Sequence, residues 1–296
     1  MQAFEYASPA TVDEAVGLLS GPEGQARPLA GGTDLLVQLR AGRYSLQRVV
    51  DVKAIPELNQ LRFSLSDGLT LGAAVPCYRI YENAALLAAY PALVDSASIL
   101  GGIGIQGRAS VGGNLCNASP SGDSIPSLIV LGATCDIAGP EGRRQVPVEQ
   151  FCLAPGLSRL EPGELLVSLH LPPPEPRSGS SYLRFIPRNE MDIAVVGAAA
   201  WIVLGEGGTQ IADARVALAA VAPTPLYLEA ARGLLVGSDG GAEAIAAAAQ
   251  AAREAVRPIT DMRGSEAQRR HLAGVLTRRA IERALQRARD EPTNAH

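Results

Sequence analysis

The sequence predicts an α+β protein in two units. The N-terminal unit, residues 1–175, holds two small α/β subdomains of about 1–55 and 56–175, and the C-terminal unit, 176–296, backs an antiparallel sheet with helices. Three observations predict this. The first 52 residues alternate strand-like runs with an amphipathic helical pattern, a βαβ rhythm. A Pro-, Ser- and Gly-rich stretch, PPPEPRSGSS at 172–181, interrupts the chain as a linker would. Beyond it strand-like runs come first and long helical patterns last, the order of an α+β unit.

Each element has its own sequence signal. Thr11 and Glu14 form a T-x-x-E capping box ahead of the apolar stripe Val12, Ala15, Val16 and Leu19, and Gly21-Pro22 ends that helix. A short strand leads to Gly31-Gly32, Asp34 to Arg40 make a second short helix, and Arg48 to Val52 the next strand. From about Leu58, strands such as LTLGAAV mix with a helical stretch from Asn83 to Ala97, followed by a long glycine-dense loop. Leu165, Val167, Leu169 and Leu171 alternate with Leu166, Ser168 and His170, the period of a half-buried strand. In the second unit SYLRFIP, DIAVVGAAAWIVL and ARVALAAVA read as three strands, with Gly205-Glu206-Gly207-Gly208 turning between the last two, so the sheet is expected to be antiparallel. Ile245, Ala249, Ala252 and Val256 share one helix face. Ser265 and Gln268 open a final helix carrying Leu272, Val275, Leu276, Ile281 and Leu285.

Composition excludes several classes. Hydrophobic residues make up 47% of the 296 and charged residues 19%, the balance of a globular protein rather than a disordered or fibrous one. The longest apolar run, Ile193 to Leu204, has 12 residues. A spanning helix needs roughly 20, so no membrane span is expected. A net charge of -4, with no Lys/Arg cluster interleaved with aromatics, argues against nucleic acid as partner. Arg269, Arg270, Arg278 and Arg279 read as a solvated helix face. The start MQAFEYASPATVDEA carries neither a basic n-region nor an apolar h-region, which makes the expected location cytoplasmic. Cys77, Cys116, Cys135 and Cys152 contain no CxxC pair, so neither zinc nor iron-sulfur ligation is encoded locally, and buried, reduced thiols are expected.

Two segments carry the chemistry: AGGTDL at 30–35 and SVGGNLCNASPSGD at 110–123. Paired glycines let the backbone reach positive φ and approach an anion closely, and a helix starting just after adds its N-terminal partial charge. Five Gly-Gly pairs occur among 31 glycines, against about three on random placement. One pair alone therefore also fits an ordinary βα turn or a surface loop, and the context separates these two. The first is followed by Thr33 and Asp34, the second by Asn114, Asn117, Ser119, Ser121 and Asp123. Together they suggest one pyrophosphate gripped by amides of Gly31, Gly32, Gly112 and Gly113, with hydroxyl and carboxylate groups left for ribose or adenine. No GxxxxGK[ST] lysine is present.

Other readings fail on context. Gly102 to Gly107 match GxGxxG, but the following Gly-, Asn-, Ser- and Pro-rich run argues against the helix that a Rossmann site requires. His170, His271 and His296 are scattered, and no GxSxG, HExxH or Cys/His arrangement occurs, so any chemistry belongs to a bound cofactor.

AGGTDL, GGNLCNASPSGD and NEMDIAVVGAA, in that order and spacing, resemble the FAD-binding subunit of the xanthine dehydrogenase and carbon monoxide dehydrogenase family of molybdenum hydroxylases. The resemblance covers essentially the whole chain. It implies a vanillyl-alcohol-oxidase-type fold, with two α/β subdomains around a non-covalent FAD and a C-terminal α+β domain. It also implies that Arg27, Pro28, Leu29, Ala30, Gly31, Gly32, Thr33, Asp34 and Leu35, with Ser110, Gly112, Gly113 and Asn114, hold the pyrophosphate and ribose. Asp123 is assigned to the adenosine side and Leu100 to the adenine. Leu166, Arg184 and the loop from Arg188 to Asp192 are assigned to the isoalloxazine. A cation such as Arg184 at the ring's carbonyl edge suits the negative charge that builds there on reduction.

The same resemblance implies partners: a large subunit with the molybdenum cofactor and a small one with two [2Fe-2S] clusters, the flavin passing electrons on to NAD, oxygen or another carrier. Where the family usually has Arg-Asn before the second glycine motif, this chain has Gln106-Gly107. No inserted cysteine-bearing loop for a further cluster is visible, and no His or Cys stands where other members of the superfamily attach flavin covalently. The alternative is a free-standing flavin oxidoreductase with its own substrate pocket, for which Glu190 and Asp192 are the candidate bases. A third reading, a binding or assembly protein that kept the fold and lost the flavin, also fits the motifs.

Overall fold

The computed structural model describes residues 3–22, 24–188 and 191–290. The first subdomain contains β1 (Glu5–Ala7), α1 (Val12–Leu19), β2 (Ala26–Leu29), α2 (Leu35–Arg40) and β3 (Arg48–Asp51). Its three strands pair in parallel in the order β1-β3-β2. Thr11 Oγ1 accepts the Glu14 N–H at 3.2 Å, while the Glu14 carboxylate reaches one residue past the cap to the Ala10 N–H. The four stripe residues of α1 are all buried.

The second subdomain runs through β4 (Leu61–Ser64), β5 (Gly68–Gly72), α3 (Tyr78–Tyr81), α4 (Ala84–Ala89), α5 (Pro91–Ile99), α6 (Ile103–Gln106), α7 (Val111–Cys116) and α8 (Ser124–Val130). It ends with β6 (Thr134–Gly139), β7 (Gly142–Pro147), the ribbon β8 (Cys152–Ala154) and β9 (Leu157–Ser158), and β10 (Leu165–Leu171). The five-stranded sheet is antiparallel throughout, in the order β4-β5-β10-β6-β7.

Three sequence expectations are corrected here. The helical stretch from Asn83 breaks at Tyr90, whose φ of -134° is driven by the following Pro91, and proline then opens the next helix. β10 is not half-buried: as the central strand it is covered on both faces, and of its seven residues only His170 is exposed. The glycine-dense stretch after α5 is not a loop but contains α6, α7 and α8. Glycine costs a helix about 1 kcal/mol. Burial of Val111 and Leu115, and the Ser110 hydroxyl capping the Gly113 N–H at 3.0 Å, offset that in α7.

The C-terminal unit comprises β11 (Ser178–Phe185), β12 (Val196–Leu204), β13 (Ile211–Ala219), β14 (Leu226–Tyr227), α9 (Glu229–Leu235), α10 (Ala242–Ala255) and α11 (Glu266–Asp290). Its four strands are antiparallel in sequence order. The SGSS half of the expected linker belongs to β11. Those small residues let α11 lie directly on the strand: a Cβ on Gly179 would stand 2.2 Å from the Ala284 carbonyl oxygen, and Ser181 Oγ donates to Ala280 O at 2.8 Å. Arg269, expected on a solvated face, is buried and donates to Val195 O, Ala220 O and Asp261.

One residue, Tyr182, ties the units together. Its N–H donates to Asp95 Oδ2 at 3.0 Å and its hydroxyl to Asp123 Oδ1 at 2.7 Å. Asp95 in turn takes ion pairs from Arg283 and Arg287 of α11. Among the described residues no helix is long and apolar enough to cross a membrane.

Candidate functional site

A cleft of about 370 Å³ opens between the two N-terminal subdomains, lined on one side by the β2–α2 bend and on the other by the α6–α7 bend. The size is that of a small-ligand site, which spans roughly 300–1,000 Å³. The bends touch. A Cβ on Gly31 would sit 2.1 Å from the Arg108 carbonyl oxygen, so only glycine lets the two main chains close on each other here. Gln38 Nε2 on α2 donates to Asn117 Oδ1 at 3.3 Å, a second bridge between the same walls.

Of the sequence-predicted residues, Arg27, Pro28, Ala30, Gly31, Gly32, Thr33, Asp34, Leu35, Leu100, Ser110, Gly112, Gly113, Asn114 and Leu166 all line this cleft. Their roles differ in detail from expectation. Among the described residues the N–H groups of Gly31, Gly32, Thr33 and Asp34 have no hydrogen-bond acceptor and are available to an anion. Gly32 provides the turn, with φ at 75°. The second pair does less for an anion: the Gly113 N–H is already held by Ser110 Oγ. Gly112 is a packing glycine, since its Cβ would meet Ala73 main-chain atoms at 2.5 Å.

Leu29, Asp123 and Arg184 do not line the cleft. Leu29 packs instead against Gly32 and a small cluster around Leu39, Leu46 and Val49. Asp123 and Arg184, assigned by resemblance to opposite ends of a cofactor, form one ion pair at 2.5 Å, with side chains 9% and 7% exposed. Two groups in contact cannot serve the two ends of an extended dinucleotide, so that assignment is corrected. Burial pushes the Asp123 carboxyl up against the opposing pull of Arg184 and the Tyr182 hydroxyl. Burial and the Asp123 charge together push the Tyr182 phenol well above its ordinary value.

Glu190 lies outside the described residues. Asp192 is no free base: its carboxylate accepts from Arg188 and the Ile193 N–H, which hold its pKa below the ordinary carboxylate value, and Arg263 completes the set.

The sequence reading missed Gln38, Arg43, Tyr44, Pro155, Gly156 and Leu160, which also line the cleft. Gln38 was findable, being one helical turn beyond Asp34. Arg43 and Tyr44 follow α2 and fold back over β2, and the Pro155-Gly156 tip of the β8–β9 ribbon is brought in by tertiary topology alone; neither leaves a local signal. Gln106 has a structural role: its buried amide donates to Ser98 O at 2.8 Å and Leu100 O at 3.3 Å, fixing the end of α5 and with it Leu100.

The lining holds two arginines and one carboxylate, Asp34. Arg27 stacks on Tyr44, its guanidinium carbon 3.9 Å from the ring centroid, and among the described residues neither Arg27 nor Arg43 has a carboxylate partner. Arg27 Nε is buried without a hydrogen-bond partner. Burial pushes the Cys116 thiol, also on the wall, up to about 12, so it stays neutral and is a poor nucleophile. Free amides, two unpaired guanidinium groups, small polar side chains (Thr33, Ser119) and apolar Leu100, Leu165 and Leu166 fit an elongated ligand with a diphosphate middle and an aromatic end.

Comparison with known proteins agrees. The family of the FAD binding domain in molybdopterin dehydrogenase matches residues 2–174, and the CO dehydrogenase flavoprotein C-terminal domain matches 181–284. The chain is 32% identical to the xanthine dehydrogenase FAD-binding subunit of Escherichia coli over 286 residues, 95% of this chain and 97% of that one. It is also 32% identical to the carbon monoxide dehydrogenase medium chain of Afipia carboxidovorans, over 97% of this chain and 99% of that one. Carbon monoxide dehydrogenase from Hydrogenophaga pseudoflava contains a chain that superposes with a TM-score of 0.92 at 31% identity, over 97% of this chain and 98% of that one. The chain therefore belongs to the FAD-binding subunits of the xanthine dehydrogenase and carbon monoxide dehydrogenase family, flavoprotein components of molybdopterin-dependent oxidoreductases.

Proposed function

We propose that this subunit binds FAD non-covalently in the cleft and relays electrons within a three-chain assembly. They come from the [2Fe-2S] clusters of a small partner and leave to NAD, oxygen or another carrier, while a large molybdopterin-bearing partner oxidises the substrate. The observation that carries this reading is the meeting of two main-chain bends at one cleft where, among the described residues, the amides from Gly31 to Asp34 have no hydrogen-bond partner and Arg27 and Arg43 no carboxylate. When bound, FAD supplies the redox chemistry, exchanging electrons singly with one-electron centres and in pairs with two-electron acceptors.

This chain's residues bind and orient. The N–H groups from Gly31 to Asp34 and the guanidinium of Arg27 neutralise the diphosphate. Thr33, Asn114 and Asn117 offer hydroxyl and amide groups to the ribose. Leu100 and Leu166 offer apolar contacts to the cofactor's aromatic rings, Leu100 to the adenine and Leu166 to the isoalloxazine. The four unpaired thiols suit a reducing, cytoplasmic compartment.

Purification from the native source under mild conditions tests the reading. Recovery of a yellow complex with a large chain and a cysteine-rich small chain, all of its flavin released by acid precipitation, is the expected result. Flavin that stays with the pellet contradicts non-covalent binding. Turnover of small molecules by this chain alone favours a free-standing oxidoreductase, a reading the engaged state of Asp192 does not support.

A further inference from the structure

The geometry points to Tyr44 as a positioning residue that sets FAD affinity by holding the Arg27 guanidinium in readiness for the diphosphate, an inference that rests on the flavin reading above. Four observations carry it. Arg27 stands in β2, the strand that runs on through Pro28 and Leu29 to the Gly31-Gly32 bend and its free amides. Its guanidinium carbon lies over the Tyr44 ring, 3.9 Å from the centroid. Both residues line the cleft. Among the described residues no carboxylate pairs with Arg27, and its buried Nε has no acceptor.

A face-stacked guanidinium keeps every N–H in its own plane, so the ring holds the cation without using up a donor. Held over the ring in this way, the cation keeps its terminal Nη groups for phosphate oxygens. An unstacked arginine loses rotamer freedom on capturing an anion, and stacking in advance removes much of that cost from binding. Tyr44 acts through Arg27 and needs no contact with the cofactor. Its hydroxyl has no hydrogen-bond partner among the described residues, so the ring is the working part.

The test is a fluorescence titration of the deflavinated full-length chain with FAD, using Tyr44→Leu, Tyr44→Phe, Arg27→Gln and the Arg27→Gln/Tyr44→Leu double variant. Tyr44→Leu is expected to weaken FAD about tenfold, on the order of a desolvated cation–π contact. Tyr44→Phe retains wild-type affinity within about a factor of two, because the face of the ring is kept. In the double variant, Tyr44→Leu adds nothing to Arg27→Gln, a coupling that a merely structural role of the ring would not produce. Melting of the apo forms accompanies each titration, so a fall in affinity through unfolding is recognised.

Additive losses in the double variant, or full affinity in Tyr44→Leu, overturn the inference while leaving the flavin reading in place. A wild-type chain that takes up no FAD overturns both.

Discussion

Arg184 shows what a single side chain decides. Among the described residues it is the cation paired with Asp123, and in a place almost free of water it opposes the rise that burial imposes on that carboxyl. Removing one member of a buried pair leaves the other charged and unsolvated, at a cost of about 3–5 kcal/mol. Arg184→Gln is therefore expected to lower the thermal midpoint sharply, and Asp123→Asn added to it to recover a large part of the loss. Thermal melts of the two variants check this, and a double variant no more stable than the single one would show that the pair is not what holds this corner. From the sequence, Asp123 and Arg184 were both recognisable as special. That they meet was not, because 61 residues and a domain junction separate them and no period or motif encodes contacts of that range.

At the scale of elements, the bend between β2 and α2 and the bend leading into α7 matter as a pair. Local chemistry made each legible: a glycine at positive φ before a short helix in the first, a serine cap and small residues in the second. The helix α7 itself was not legible, because its glycines argue against helix and only the packing of Val111, Gly112 and Leu115 overrules them. The contact of Gly31 with the Arg108 carbonyl makes a sharp prediction. Gly31→Ala pushes the bends apart, costing about 1–3 kcal/mol as an overpacked contact, and the purified protein is expected to lose flavin several-fold. Gly17→Ala is the control: it lies in α1 with open space around its missing Cβ, so alanine there is expected to be neutral or stabilising by up to about 1 kcal/mol. Equal flavin content in the two variants would remove Gly31 from the account.

Over the whole molecule, the cleft depends on how three sheets are set against one another. The three-stranded parallel sheet supplies one wall, the five-stranded sheet with its helices the other, and the C-terminal unit is docked behind them through Tyr182, Asp95 and the arginines of α11. The βαβ start, the late strands and the final helices were readable because each carries a complete local signal of caps, period and turns. Tyr44 and the tip of the β8–β9 ribbon were not, because tertiary packing alone brings them to the cleft.

The central claim is that main-chain amides of one bend, closed against a second, grip a diphosphate. A crystal structure of the chain with FAD bound tests it most directly. The account predicts both phosphates within hydrogen-bonding distance of the N–H groups between Gly31 and Asp34, with an Arg27 Nη group on one of their oxygens. A diphosphate lying in solvent, or a flavin seated away from these bends, would contradict it.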